Sequence, residues 1–284
     1  MARPDPIFLA TAIEAVTRAG AMQMERFGRA MRIDKKSAID LVTEVDVAVE
    51  RMFRALIRER FPDHDVLAEE LGGLAELDEP HARCRWVFDP IDGTTNFAHG
   101  LPIFCASLAL EIDEQAVIGA IFDPSRQELF TAERGGGAFL NGARIRVSDA
   151  ATLIDAMVVT GFPYNVHQHA DDMVRLFGRF LGRARAVRRL GSAALDLCYV
   201  AAGRMDGFWE EDLKPWDMAA GALLVEEAGG RVSGTDGAPF ASRQLHVLAT
   251  NGRVHDEMLA IIAEERRERA QAAEIADRAR NRTN

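Results

Sequence analysis

Apolar residues recur along this chain with two different periods, and the change from one to the other divides it. Residues 7–27 repeat at three- and four-residue intervals and stop at Gly28, which predicts a first helix. A second opens near Thr43, where Val45, Val49, Met52, Phe53, Leu56 and Ile57 make one apolar stripe opposite charges, until Pro62 ends it. Short apolar runs follow: VLA before Glu69, WVF before Asp89, then CASLALEI, AVIGAIFD and ELFTA, each of strand length and bounded by turn residues. Asn141-Gly142, between FL and ARIRV, is a pair suited to a tight hairpin. From about residue 151, strand-like AMVVTG and FWE alternate with helical stretches near 168–182, 191–203 and 216–228, which predicts a second α/β layer packed on the first. The tail from Val254 keeps helix-forming residues while its apolar stripe thins, as in a helix that frays into a disordered end. The expected division is 1–150, 151–265 and a charged helical or disordered tail over 266–284.

Composition narrows the class. With 48% hydrophobic and 27% charged residues, the chain has enough apolar material for a sizeable core and is not disordered. Its net charge of -10 weighs against broad attraction to a phosphate backbone. The densest basic stretch, Arg175, Arg179, Arg183, Arg185, Arg188 and Arg189, reads as a solvated helix face and loop, or else as a patch for an acidic partner or nucleic acid. Cys84, Cys105 and Cys198 are odd in number and far apart, which suits reduced thiols. The first residues lack the basic start and uninterrupted apolar core of a signal peptide, and no run is long enough to span a membrane, so a cytoplasmic location is expected.

The candidate chemistry centres on WVFDPIDGTTNFAHG. An apolar strand runs into Asp89 and Asp92, and Pro90 and Gly93 bend the backbone so that both carboxylates can converge on one cation. Hard oxygen ligands at such a bend suit magnesium or calcium. If the chain turns helical after Gly93, the N–H groups of Gly93, Thr94 and Thr95 are left unpaired and form an anion site. An isolated D-x-x-D also reads as a turn with an N-cap, so context must decide.

That context lies in three other segments. In VLAEELGG, alternation along a strand lets only one of Glu69 and Glu70 face a shared site, and Glu69 is the choice, with Glu70 close behind. In KPWDMAAGALLVEEAGG, Asp217 opens a helix, either as a cap or as a further metal ligand. In DLVTEVD, Asp40, Thr43, Glu44 and Asp46 surround another helix start, as an N-cap with acidic first turn or with Asp46 as a base behind the metals. Two features point elsewhere and carry little. Gly135-Gly136-Gly137 lacks the Lys and Ser or Thr of a nucleotide loop and reads as a turn, while His167 and His169 read as an exposed loop without zinc spacing.

Taken together, WVFDPIDGTTNFAHG, AEE, DLVTEVD and KPWDMAAGALLVEEAGG resemble the inositol monophosphatase family of lithium-sensitive, magnesium-dependent phosphatases over roughly residues 7–262, and GSAALDLCYVAAGRMDGFWE looks most like its bacterial inositol-1-monophosphatases. The resemblance implies a layered αβαβα sandwich of the inositol monophosphatase and fructose-1,6-bisphosphatase type, usually a homodimer, with two or three Mg2+ ions per active site. It implies Glu69, Asp89 and the Ile91 carbonyl as ligands of one metal, and Asp89, Asp92 and Asp217 as ligands of a second. It places the phosphate on Asp92, Gly93 and Thr94, and gives Asp46, Glu69 and Thr94 the catalytic work of orienting or deprotonating the attacking water. Substrate hydroxyls would meet Ala193, Glu210 and Asp217, and Lys35 would lie in the loop that covers the metals. The chain departs at Ala68, where many relatives have Gly.

The reaction implied is direct in-line hydrolysis of a small phosphorylated metabolite, since no Cys-x5-Arg nucleophile loop is present. The substrate expected first is myo-inositol 1-phosphate, with fructose 1,6-bisphosphate, an adenosine bisphosphate, NADP or histidinol phosphate as alternatives. Some bacterial relatives also act as transcription antitermination factors on RNA polymerase, which makes partner binding the competing class of function.

Overall fold

The computed structural model describes residues 4–30, 32–36, 41–72, 82–168 and 170–283. In chain order its elements are α1 (Pro6–Arg26), β1 (Ile33–Lys35), β2 (Leu41–Thr43), α2 (Glu44–Arg60), β3 (Asp65–Ala68), β4 (Cys84–Asp92), α3 (Thr94–Ala98), β5 (Cys105–Ile112), β6 (Gln115–Asp123), β7 (Glu128–Glu133), β8 (Gly137–Leu140) and β9 (Ala143–Arg144). The second half adds β10 (Met157–Thr160), α4 (Ala170–Leu181), β11 (Ala186–Arg188), α5 (Ala193–Ala201), β12 (Gly207–Glu211), α6 (Pro215–Glu227), β13 (Arg231–Ser233), β14 (His246–Thr250) and α7 (His255–Thr283).

Local chemistry explains where these elements begin and turn. Asp5 Oδ1 accepts from the Ile7 N–H at 3.0 Å and starts α1 just ahead of Pro6. Thr43 caps α2 in a reciprocal box with Asp46. Asn141 (φ 49°) and Gly142 (φ 78°) both take the left-handed region that a two-residue hairpin between β8 and β9 requires. The glycine run is a turn between β7 and β8, where Glu227 accepts from the Gly135 and Gly137 N–H groups at 2.7 and 2.8 Å.

Strand alternation then sorts side chains into layers. In the seven-stranded sheet β3-β4-β5-β6-β7-β8-β9, Trp86, Phe88, Leu108 and Ile118 turn toward Val16, Val49 and Phe53 of α1 and α2. Val87, Cys105, Ala109 and Ile121 turn the other way, onto α5 and α6. Those two helices also bury Val159, Phe208, Val247 and Ala249 of the five-stranded sheet β11-β10-β12-β14-β13. On the far side of that sheet, Val158, Trp209 and Leu248 pack on Phe180 of α4 and Met258 and Ile261 of α7. The order is therefore αβαβα, the layering expected from the resemblance. Because both faces of the larger sheet are covered, CASLALEI and AVIGAIFD are nearly continuous apolar runs instead of alternating ones.

One pairing matters most for chemistry. β3 runs parallel to β4, with Ala68 opposite Phe88, whereas the other pairs of that sheet are antiparallel. The residues that follow, Glu69 and Asp89, therefore emerge side by side at one sheet edge. α7 continues to Thr283, and no helix among the described residues is long and apolar enough to cross a membrane.

Candidate active site

The carboxyl ends of β3, β4 and β12 meet the amino ends of α3, α5 and α6 in a cavity of about 750 Å³ lined by Glu69, Asp89, Asp92, Thr94, Glu210 and Asp217 among others, with Asp46 of α2 behind Thr94. Helix starts present unpaired N–H groups and partial positive charge, so an acidic cluster and a bound anion are both favoured there. Asp46 and Asp217 are each the third residue of a helix. The Thr43 N–H donates to Asp46 Oδ2 at 2.8 Å, and the Lys214 N–H donates to Asp217 Oδ2 at 2.7 Å.

The bend between Asp89 and Asp92 is a break in strand register that several side chains hold in place. The Ile91 N–H donates to Asp89 Oδ1 at 2.9 Å, and Gln23 of α1 donates through Nε2 to the Pro90 carbonyl at 2.7 Å. Gly93 then takes φ 95°, and a Cβ there would lie 2.8 Å from the Ile103 carbonyl oxygen. Only glycine fits both demands. Asn96 fixes the following turn by donating through Nδ2 to the carbonyls of Ile103 and Leu190, each at 2.9 Å.

Asp92 is tied to the second half of the chain. Its Oδ2 accepts from Ser192 Oγ at 2.6 Å and from the Ala194 N–H at 2.7 Å, and its Oδ1 accepts from the Ala193 N–H at 3.3 Å. Thr94 Oγ1 lies 2.8 Å from the Ile91 carbonyl and 3.3 Å from Asp46 Oδ1. Glu69 and Glu70, in the turn after β3, both accept from Lys36 Nζ at 2.7 Å, and Glu69 is the one that lines the cavity. Glu50 of α2 sets this turn by accepting from the Glu70 and Leu71 N–H groups at 2.7 and 3.1 Å.

The electrostatics follow from burial and crowding. Burial first, then Glu69, Asp92 and Asp217, hold the Asp89 carboxyl well above its ordinary pKa. Asp217 is pushed well up by burial, then Asp92 and Glu69. Burial also raises Asp92, against the pull of its hydrogen bonds from Ser192, Ala194 and Ala193. Glu210 is pushed up to about 8 by burial, then Asp217, with Arg189 acting in the opposite direction. Oxygens of Asp89, Asp92 and Asp217 lie within 4.8 Å of one another. Like charges this close resist ionisation, and an all-oxygen set held so is the donor chemistry a hard divalent cation requires.

Of the residues expected from sequence, Asp46, Glu69, Asp89, Ile91, Asp92, Gly93, Thr94, Ala193, Glu210 and Asp217 converge here. Lys35 does not: it is exposed on β1, and its neighbour Lys36 lies 2.7 Å from both Glu69 Oε1 and Glu70 Oε1. Lys36 lies at a bend just past the end of β1, and this one-residue offset brings the cation to the cavity lining. Asp40 and His169 lie outside the described residues, and His167 lines the cavity wall. Sequence reasoning missed Arg189 and Asp196, both in that wall. Arg189 was hidden in a basic run whose Arg175, Arg179, Arg183 and Arg185 are occupied by ion pairs with Asp172, Glu268, Glu264 and Asp155 respectively. Asp196 carried a usable signal, a lone charge in an otherwise apolar helix buried on every side.

A layered α/β protein with buried carboxylates gathered at helix starts has the donor set to hold a hard divalent cation beside an anion. Known proteins narrow this further. The model of the inositol monophosphatase family matches residues 7–268. An inositol-1-monophosphatase of Synechocystis is 44% identical over 257 residues, covering 90% of this chain and 88% of that protein. A Pseudomonas aeruginosa protein named Nus factor SuhB is 43% identical over 88% of this chain and 94% of its own. The solved Thermotoga maritima IMPase superposes with a TM-score of 0.83 at 38% identity, covering 92% of this chain and 98% of that one. The chain belongs to the inositol monophosphatase family.

Proposed function

We propose that this protein is a magnesium-dependent phosphatase that hydrolyses a small polyol phosphate, with myo-inositol 1-phosphate the substrate favoured. The observation that carries the reading is the convergence of Asp89, Asp92 and Asp217 within 4.8 Å beside the start of α3. Glu69, Asp89 and the Ile91 carbonyl would hold one Mg2+, and Asp89, Asp92 and Asp217 another. Bound Mg2+ supplies charge neutralisation for a phosphate dianion and acidifies water.

The chain's own groups do the rest. The N–H groups at the start of α3 and the Thr94 hydroxyl bind phosphate oxygens. Thr94 Oγ1 has one proton and two acceptors in reach, the Ile91 carbonyl and Asp46, so it can pass from one to the other. That pair would orient the attacking water and take its proton in an in-line displacement. Glu210 and the α5 start at Ala193 face the leaving group across the cavity. A homodimer goes with this reading and is checked by light scattering.

The test is phosphate release from a panel of esters. With Mg2+, myo-inositol 1-phosphate is expected to exceed fructose 1,6-bisphosphate, an adenosine bisphosphate, NADP and histidinol phosphate by about tenfold or more in kcat/KM. Chelation is expected to stop the reaction and Li+ to slow it. No release from any ester with Mg2+ sinks the reading.

Relatives named Nus factor SuhB favour a second reading, a partner-binding role in which RNA polymerase is the partner expected. Rescue of a deletion phenotype by an inactive Asp92→Asn protein would favour it over catalysis.

A further inference from the structure

Asp196 is the carboxylate for which the fold supplies no structural purpose. It is 1% exposed, it lines the cavity, and neither of its oxygens has a hydrogen-bond partner among the described residues. Buried carboxyl groups ordinarily persist only when paired, because losing hydration without a replacement costs free energy. Nor does α5 need it as a cap. Ser192 Oγ accepts from the Leu195 N–H at 3.4 Å, and Asp92 takes the Ala193 and Ala194 N–H groups. Asp196 comes after all of these, on a helix whose nine residues are buried.

Its surroundings indicate what it is for. Beyond burial, Glu210 is the neighbour that most raises the Asp196 pKa, and Arg189 is the one that lowers it. Glu210 stands over the backbone of Gly161, where a Cβ would lie 2.1 Å from its Oε1. Thus Asp196, Glu210 and Arg189 lie near one another in the lining of the cavity, with Asp92 close by. Unused lone pairs on two carboxyl groups call for donors. Arg189, 6.0 Å from the centre of the Phe162 ring, already supplies positive charge and disfavours a cationic leaving group.

We propose that Asp196 is a specificity-determining residue of this pocket, accepting hydrogen bonds from hydroxyl groups on the leaving group of an uncharged polyol phosphate, alongside Glu210. The inference rests on the phosphatase reading and deepens it. A site built around buried acceptors discriminates strongly against a leaving group that lacks the matching hydroxyls, since its carboxyls then stay unpaired.

The experiment compares kcat and KM for myo-inositol 1-phosphate and phenyl phosphate, with Mg2+, in the unchanged protein, Asp196→Leu and Asp196→Asn, together with melting temperatures. Leucine is close in shape and removes the acceptors, so the kcat/KM ratio of the two esters is expected to fall about tenfold or more, through KM, while the melting temperature holds or rises. Asparagine keeps an acceptor and is expected to hold the ratio within about threefold. A lower melting temperature in both variants would show that the carboxyl has a structural partner and overturn the proposal. So would an unchanged ratio in Asp196→Leu. Hydrolysis of neither ester by the unchanged protein is a different failure, which removes the phosphatase reading and this inference with it.

Discussion

Glu210 is 8% exposed, and burial together with Asp217 pushes its pKa from 4.5 to about 8. Without metal, the folded state keeps a proton that the unfolded chain releases at much lower pH. Stability from this group is therefore fully present below about pH 4.5 and is lost as pH rises through about 8. The melting temperature in chelator is expected to fall as pH is raised across that window, and to fall less in Glu210→Gln. An equal slope in the variant would show that Glu210 is not the group responsible. Asp92 makes a different residue-scale prediction, because its carboxylate joins the proposed metal site to the start of α5. Asn keeps an acceptor for Ser192 and Ala194 but removes the charge, so Asp92→Asn is expected to lose about a hundredfold or more in kcat. In chelator the same variant should melt no lower than the unchanged protein, since neutralising one of several crowded carboxylates relieves repulsion. Normal turnover in Asp92→Asn would refute the assignment of this site.

At the scale of elements, the join between β4 and α3 is the most demanding point in the backbone. Gly93→Ala would place a Cβ 2.8 Å from the Ile103 carbonyl oxygen at φ 95°. A loss of ~1–3 kcal/mol in unfolding free energy is expected, read by urea denaturation, together with a fall in kcat as Thr94 shifts. A variant as stable and active as the parent would show that the join tolerates a side chain. Elements with locally written signals were legible in the sequence. α1 follows from its apolar period and the Gly28 stop, α2 from its period and Thr43 cap, β5 matches CASLALEI residue for residue, and the Asn141-Gly142 turn follows from its dipeptide. The parallel pairing of β3 with β4 was not legible, because register between strands depends on contacts that no single segment encodes. For the same reason the carboxylates could be nominated from sequence, while Lys36 in place of Lys35, Arg189 and Asp196 needed the fold.

For the whole molecule, the site is assembled from segments far apart in the chain. Glu69 follows β3, Asp89 and Asp92 end β4, and Asp217 begins α6 in the layer between the two sheets. The layer order itself came only with the resemblance and the packed structure, since period and composition do not say which face meets which helix. On the proposed function, this assembly would make metal binding a property of the fold as a whole. An ion gripped by Asp89, Asp92 and Asp217 binds the native arrangement and has no comparable site in the unfolded chain, so binding and folding are linked. The carboxyls raised by crowding add to the effect, because a cation removes the repulsion that burial imposes on them. Mg2+ at one hundred times its dissociation constant is expected to stabilise the protein by ~2.7 kcal/mol, seen as a rise in melting temperature. For a chain of this length that corresponds to a rise of roughly 4–5 °C. Asp217→Asn should sharply reduce the rise while leaving both sheets intact by circular dichroism, because it removes one ligand charge and keeps the side-chain acceptor for the Lys214 N–H. If the melting temperature ignored Mg2+ in the unchanged protein, the acidic cluster would be only a set of helix caps. If Asp217→Asn kept the full rise, α6 would have no part in the metal site.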